Sequence, residues 1–173
     1  MSDLDIMRTS ADPSGISRLY LIDDDPSILQ FVQQSLLLRP AWSLQGVSED
    51  LSHAYQHALK IPVDVYLVDL GIQGGGGETL LQWLSDQRPE AELLVFTVLG
   101  DESRLQATLK AGATGYVLKG CSIHDLVLAI EQIQSGGAPI SPLIARMLIE
   151  QFRVLHKGES AESGALSRGQ VAF

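Results

Sequence analysis

A chain of 173 residues with 45% hydrophobic residues can bury a real core and suits one domain with extensions. Its formal net charge of −9 excludes a segment that grips nucleic acid by itself, because a duplex binder needs a basic stripe to displace counterions. The single cysteine, Cys121, excludes an internal disulfide framework, and no apolar run approaches the roughly 20 residues that a membrane span needs.

Residues 1–16 are polar, carry Asp3, Asp5 and Asp12, and read as a flexible tail rather than a secretory signal, which points to a cytoplasmic protein. Arg18–Ile22 is a strand candidate, followed by a helix over Pro26–Arg39 and a weaker strand over Trp42–Val47. Leu51, Ala54, Tyr55, Ala58 and Leu59 then share one helical face. Val63–Val68 is a third strand and Thr79–Arg88 a third helix, stopped by Pro89. Glu92–Phe96 is nearly all apolar, as a strand covered on both faces should be. A helix over Glu102–Ala111 closes at Gly112, Gly115–Leu118 makes a fifth strand, and Ile123, Leu126, Val127, Ile130 and Ile133 form the stripe of a fifth helix ending at Gly136-Gly137. Five βα units in succession predict an α/β fold: a doubly wound parallel sheet with helices on both faces and right-handed crossovers.

That domain is expected over residues 17–137. An extra helix opened by Pro142, with Ile144, Met147, Leu148 and Phe152 on its apolar face, is placed within 138–156. The Gly/Ser/Glu-containing stretch 157–165 has linker character, and 166–173 turns helical again.

The informative polar residues stand where strands end. Asp23, Asp24 and Asp25 follow the first strand, Asp69 the third, Thr97 closes the fourth and Lys119 follows the fifth. Open α/β sheets bind ligands in the crevice outside the carboxyl ends of their strands, so these separated residues converge on one site. Clustered carboxylates repel, and a hard divalent cation with oxygen ligands, Mg²⁺ above all, resolves the repulsion. A lysine and a hydroxyl opposite complete the equipment for phosphoryl transfer, with an aspartate as nucleophile. Asp25 before Pro26 also fits a plain helix cap, while His53 and His57, four apart on a helix without a third ligand, read as a solvated face.

Leu21–Pro26 (LIDDDP), Val68–Gly71 (VDLG), Phe96-Thr97 and Gly112–Lys119 (GATGYVLK) together resemble the receiver domains of two-component response regulators, over roughly Ser17 to Gly137. The resemblance implies a flavodoxin-like five-stranded sheet of order 2-1-3-4-5. It implies Asp69 as phosphoacceptor, Asp24 as a direct Mg²⁺ ligand, Asp23 assisting through water, and the Gly71 backbone carbonyl as a further ligand. Thr97 and Lys119 would contact the phosphoryl oxygens, and Tyr116 would reorient with Thr97 as the switch. Leu166–Gln170 after the extra helix is similar to the opening of the helix-turn-helix domain in NarL/LuxR-type transcriptional regulators, whose DNA-reading helix would then lie beyond Phe173.

On that reading a sensor histidine kinase phosphorylates Asp69, and the new charge draws Thr97 and Lys119 inward. A surface near the fourth and fifth helices and fifth strand then controls homodimerisation or an attached DNA-binding domain. The chain is expected to be a phosphoacceptor with at most slow self-dephosphorylation rather than an enzyme, since Gly71 stands where a phosphatase would carry a second acid. The alternative is a phosphorylation-independent interaction module on the same fold. Departures from the family are Gln73 in place of proline, the Gly74–Gly77 run, and Gly120 after Lys119.

Overall fold

The computed structural model describes residues 17–98, 100 and 102–167. The tail expected over 1–16 lies outside them. The chain divides into two compact units, residues 1–140 and 141–173.

The first unit alternates strands and helices: β1 (Ser17–Ile22), α1 (Pro26–Leu36), β2 (Trp42–Ser48), α2 (Leu51–His57), β3 (Val65–Val68), α3 (Gly77–Gln87), β4 (Glu92–Thr97), α4 (Glu102–Lys110), β5 (Gly115–Leu118) and α5 (Ile123–Gln134). All strand pairs are parallel, in the order β2-β1-β3-β4-β5. This is the doubly wound, flavodoxin-like sheet that the sequence predicts.

Leu19, Leu21, Val65, Leu67, Leu94, Phe96 and Val117 project from the sheet into a core with Val32 of α1 and Leu126, Ile130 and Ile133 of α5. Alternation along each strand sends Tyr20 and Tyr66 to the opposite face, where their rings lie 5.8 Å apart. Both faces are therefore covered, which explains why β3 and β4 read as continuous apolar runs rather than alternating ones.

Helix starts follow local chemistry. The Asp25 carboxylate caps α1 by accepting from Ser27 N at 2.8 Å, with Pro26 in the first turn. Asp50 caps α2, and Ser122 with Asp125 forms a capping box on α5. α1 ends at Leu36 rather than Arg39, because the backbone tightens there: Leu37 N, Leu38 N and Arg39 N each bond to a carbonyl three residues back.

The second unit is helix α6 (Pro142–Ser167). It runs through residues 157–165, which the sequence reading took for a linker, so that expectation is corrected. Lys157, Glu159, Ala161, Glu162 and Ala165 are good helix formers, and they offset Gly158 and Gly164 at about 1 kcal/mol each. The unit begins at Ser141 rather than at 138. Of the segment read as opening a helix-turn-helix, Leu166 and Ser167 belong to α6, and 168–173 lie outside the described residues.

Tyr66 gives a test of the buried face. Burial pushes its hydroxyl up to about 12 against the opposing charge of Arg88, and that hydroxyl donates to Ala58 O at 2.8 Å. Because the unfolded side chain titrates near 10, the folded state retains a proton that the unfolded state has lost between pH 10 and 12, so this stabilisation disappears as pH rises through that window. Tyr66→Phe is expected to be about 1 kcal/mol less stable than wild type at pH 9, with the gap closing near about pH 11 and reversing above it in urea titrations. A gap independent of pH would refute this assignment.

Candidate functional site

The sheet ladder itself carries the site residues to one place. One residue past each strand, the backbone is still held by its neighbour: Asp23 N bonds to Ser48 O at 3.0 Å, Asp69 N to Ile22 O at 2.9 Å, and Lys119 N to Thr97 O at 2.7 Å. Asp23, Asp69, Thr97 and Lys119 thus emerge at the carboxyl edge of β1, β3, β4 and β5. The sheet order reverses direction between β1 and β3, which is where such folds open their binding crevice.

Asp69 sits at the centre and is only 5% exposed. Its Oδ1 accepts from Thr97 Oγ1 at 2.7 Å and from Gly71 N at 2.9 Å, and its Oδ2 accepts from Lys119 Nζ at 2.9 Å. The same ammonium stands 2.8 Å from Asp23 Oδ2. Asp23 Oδ2 is buried and makes no hydrogen bond besides its close approach to that ammonium. Asp23 Oδ1 accepts from Asp25 N at 2.9 Å. Burial raises the Asp23 carboxyl above the ordinary range despite the lysine. Burial also opposes charge on Lys119, but its bonds to Asp23 and Asp69 outweigh that effect and hold its ammonium above the usual range.

Asp23, Asp24 and Asp69 each place a carboxylate oxygen within 4.8 Å of the others. With all three ionised and one lysine among them the cluster is doubly negative, and the buried Asp23 Oδ2 must share that one ammonium with Asp69. A divalent oxygen-seeking cation fits both facts; a softer metal would ask for nitrogen or sulfur, and the cluster has none. Asp25 is the exception in the triplet, since its carboxylate faces Ser27 and serves as the cap.

The sequence reading therefore placed Asp23, Asp24, Asp69, Thr97 and Lys119 together correctly. Thr97 and Lys119 both hold the Asp69 carboxylate, whose charge attracts a hydroxyl donor and an ammonium. Tyr116 is buried on β5 beside β4, paired in register with Val95, and burial pushes its hydroxyl above the ordinary value. Gly71 contributes its N–H to Asp69.

Two partners escaped the sequence reading. Arg104 of α4 donates to the Leu70 carbonyl and, through Nε, to Glu78 Oε1 at 2.6 Å. Ser48 Oγ lies 2.7 Å from the Tyr20 hydroxyl and 2.8 Å from His53 Nδ1, so His53 is tied to the sheet although its helix face is exposed. Neither contact follows a local motif, and only the assembled fold brings these residues together.

The geometry agrees with the comparison to known proteins. Residues 19–131 match the response regulator receiver domain family. The chain belongs to that family. The curated relatives that the chain matches are regulatory proteins. The chain is 28% identical to the transcriptional regulatory protein DegU of Brevibacillus brevis over 90% of this chain and 66% of DegU. It is also 28% identical to the nitrate/nitrite response regulator protein NarL of Escherichia coli K12, over 78% of this chain and 62% of NarL. The receiver thus spans somewhat under two thirds of the length of these relatives.

Among solved structures it is similar to a two-component response regulator of the LuxR family from Aurantimonas sp. SI85-9A1, with TM-score 0.73 and 29% identity over 80% of this chain and 99% of that one. It also matches the isolated receiver domain of RcsB from Salmonella enterica serovar Typhimurium, in the presence of the phosphomimetic BeF3−, with TM-score 0.70 and 25% identity over 76% and 98% of the two chains. Among the described residues no helix is long and apolar enough to cross a membrane.

Proposed function

We propose that Asp69 accepts a phosphoryl group in a Mg²⁺-dependent step and that the adduct switches a surface of this receiver. The observation that carries the reading is the cluster of Asp23, Asp24 and Asp69 carboxylates with a single ammonium among them, beside a nucleophile already oriented by Thr97, Gly71 and Lys119. Asp23, Asp24, Asp69 and the Gly71 carbonyl would hold the ion, Asp23 through water. Bound there, Mg²⁺ supplies neutralisation for the oxygens of the phosphoryl group. An Asp69 oxygen forms the new bond to phosphorus as the bond from phosphorus to the donor breaks, and the electron pair leaves with the donor. Lys119 takes up charge on the phosphoryl oxygens, and Thr97 exchanges its bond to Asp69 for one to them.

The donor is a sensor histidine kinase, acting in the cytoplasm. Loss of the Thr97–Asp69 bond frees β4 and the neighbouring Tyr116 to shift, biasing the surface of α4, β5 and α5. That surface controls homodimerisation or an output domain. The support is the NarL/LuxR-type kinship, together with RcsB structures described as dimers bound to DNA and as bound to a promoter in the presence of the phosphomimetic. With a net charge of −9, DNA contact falls to a domain outside this chain. The receiver turns over its own phosphoryl group slowly at most and performs no steady catalysis.

Intact mass after incubation with acetyl phosphate is the test. One phosphoryl adduct that requires Mg²⁺ and is absent from Asp69→Ala is the expected result. A folded protein that takes no adduct under any condition would overturn the reading in favour of a phosphorylation-independent interaction module.

A further inference from the structure

The loop after Asp69 carries Gln73 and the Gly74–Gly77 run, and Gly74, Gly75 and Gly76 all have positive φ. A stretch of that composition has little stiffness of its own. Its neck is nevertheless narrow. Gly77 packs so closely that a Cβ there would lie 2.9 Å from the Leu70 carbonyl oxygen. Across this neck Arg104 donates to Leu70 O on one side and to Glu78 Oε1, at 2.6 Å, on the other.

The peptide unit that Arg104 grips has a second end. Leu70 C=O and Gly71 N–H belong to the same planar peptide, and Gly71 N–H donates to Asp69 Oδ1 at 2.9 Å. The guanidinium therefore fixes the plane from which the phosphoacceptor receives a hydrogen bond. It also polarises that amide, because hydrogen bonds in a chain strengthen one another where water is excluded. A lysine would supply the charge but not the fork that reaches both Leu70 and Glu78.

We propose that Arg104 is a positioning residue for phosphorylation, acting on Asp69 through the Leu70–Gly71 peptide and replacing the stiffness that the glycine-rich loop lacks. The inference rests on Asp69 being the phosphoacceptor, and the experiment separates the two. Arg104→Ala and Glu78→Ala both remove the same ion pair, but only the first removes the bond to Leu70 O. With acetyl phosphate and Mg²⁺, Arg104→Ala is expected to form the adduct about tenfold more slowly, the size of effect expected from one charge-assisted hydrogen bond. Glu78→Ala should slow it less than about threefold. In ¹H–¹⁵N spectra of the unphosphorylated proteins, the Gly71 amide nitrogen should move upfield in Arg104→Ala and stay near its wild-type position in Glu78→Ala.

A purely structural strut would slow both variants alike and leave the Gly71 resonance in place in both; that result overturns the proposal. Should the wild type itself take no phosphoryl group, the phosphoacceptor reading fails, and the Gly71 resonance alone decides whether Arg104 orients that peptide.

Discussion

Lys119→Met is expected to lower the unfolding free energy in Mg²⁺-free buffer by about 3 kcal/mol, and to enlarge the stabilisation that Mg²⁺ confers. In the wild type one ammonium faces two buried carboxylates, at 2.8 Å from Asp23 and 2.9 Å from Asp69, with Asp24 close by. Removing it leaves the charge on Asp23 Oδ2 with no cation and no hydrogen bond, and takes from Asp69 Oδ2 the ammonium that bonds it. Loss of one partner from a buried pair costs far more than the pair contributes, because the remaining charge is stranded in a poor solvent. Asp69 keeps the donors Thr97 and Gly71 on its other oxygen, which holds the loss near the lower end of the usual range. The methionine preserves apolar volume, so packing is little disturbed.

The same removal takes the cluster from a net charge of −2 to −3, which strengthens its attraction for a divalent cation. Urea titrations with and without 10 mM Mg²⁺, on wild type and variant, measure both effects. An Mg²⁺-induced shift no larger in the variant than in the wild type would show that the ammonium and the metal do not share these carboxylates.

Fold and site were legible to different depths, for physical reasons. The site residues could be read because a parallel sheet forces chemistry to strand ends: once Arg18–Ile22, Val63–Val68, Glu92–Phe96 and Gly115–Leu118 are seen as strands, Asp23, Asp69, Thr97 and Lys119 can only meet at one edge. The resemblance to receivers added the strand order and the roles. What stayed hidden depends on distance along the chain. Arg104 and Leu70 are 34 residues apart, and nothing near either announces the bond. α6 was misread for another reason. The composition of 157–165 suggested a linker, but a propagating helix adds a hydrogen bond for each residue it orders, and two scattered glycines are a modest penalty against five good helix formers.

Gly77→Ala tests the neck of the Asp69 loop from the opposite side to Arg104. A Cβ at this position would lie 2.8 Å from Leu70 Cα and 2.9 Å from Leu70 O. Both are backbone atoms, so neither can rotate away as a side-chain end would. Either the first turn of α3 or the Leu70–Gly71 peptide must move, and the second carries the N–H that holds Asp69 Oδ1. The variant is expected to lose about 2 kcal/mol of stability, the usual cost of overpacking a tight contact, although alanine is the better helix former. It should also slow phosphorylation several-fold.

Gly75→Ala supplies the contrast. A Cβ there meets nothing within 4 Å, but φ is +70°, so the added cost is backbone strain of about 1 kcal/mol with no displacement of Leu70. Phosphorylation of Gly75→Ala should stay within about twofold of wild type. If the two variants slow phosphorylation equally, loop strain in general governs the reaction rather than the placement of one peptide. If Gly77→Ala alone slows it, the close approach of α3 to Leu70 is what keeps a glycine-rich loop from disordering the phosphoacceptor.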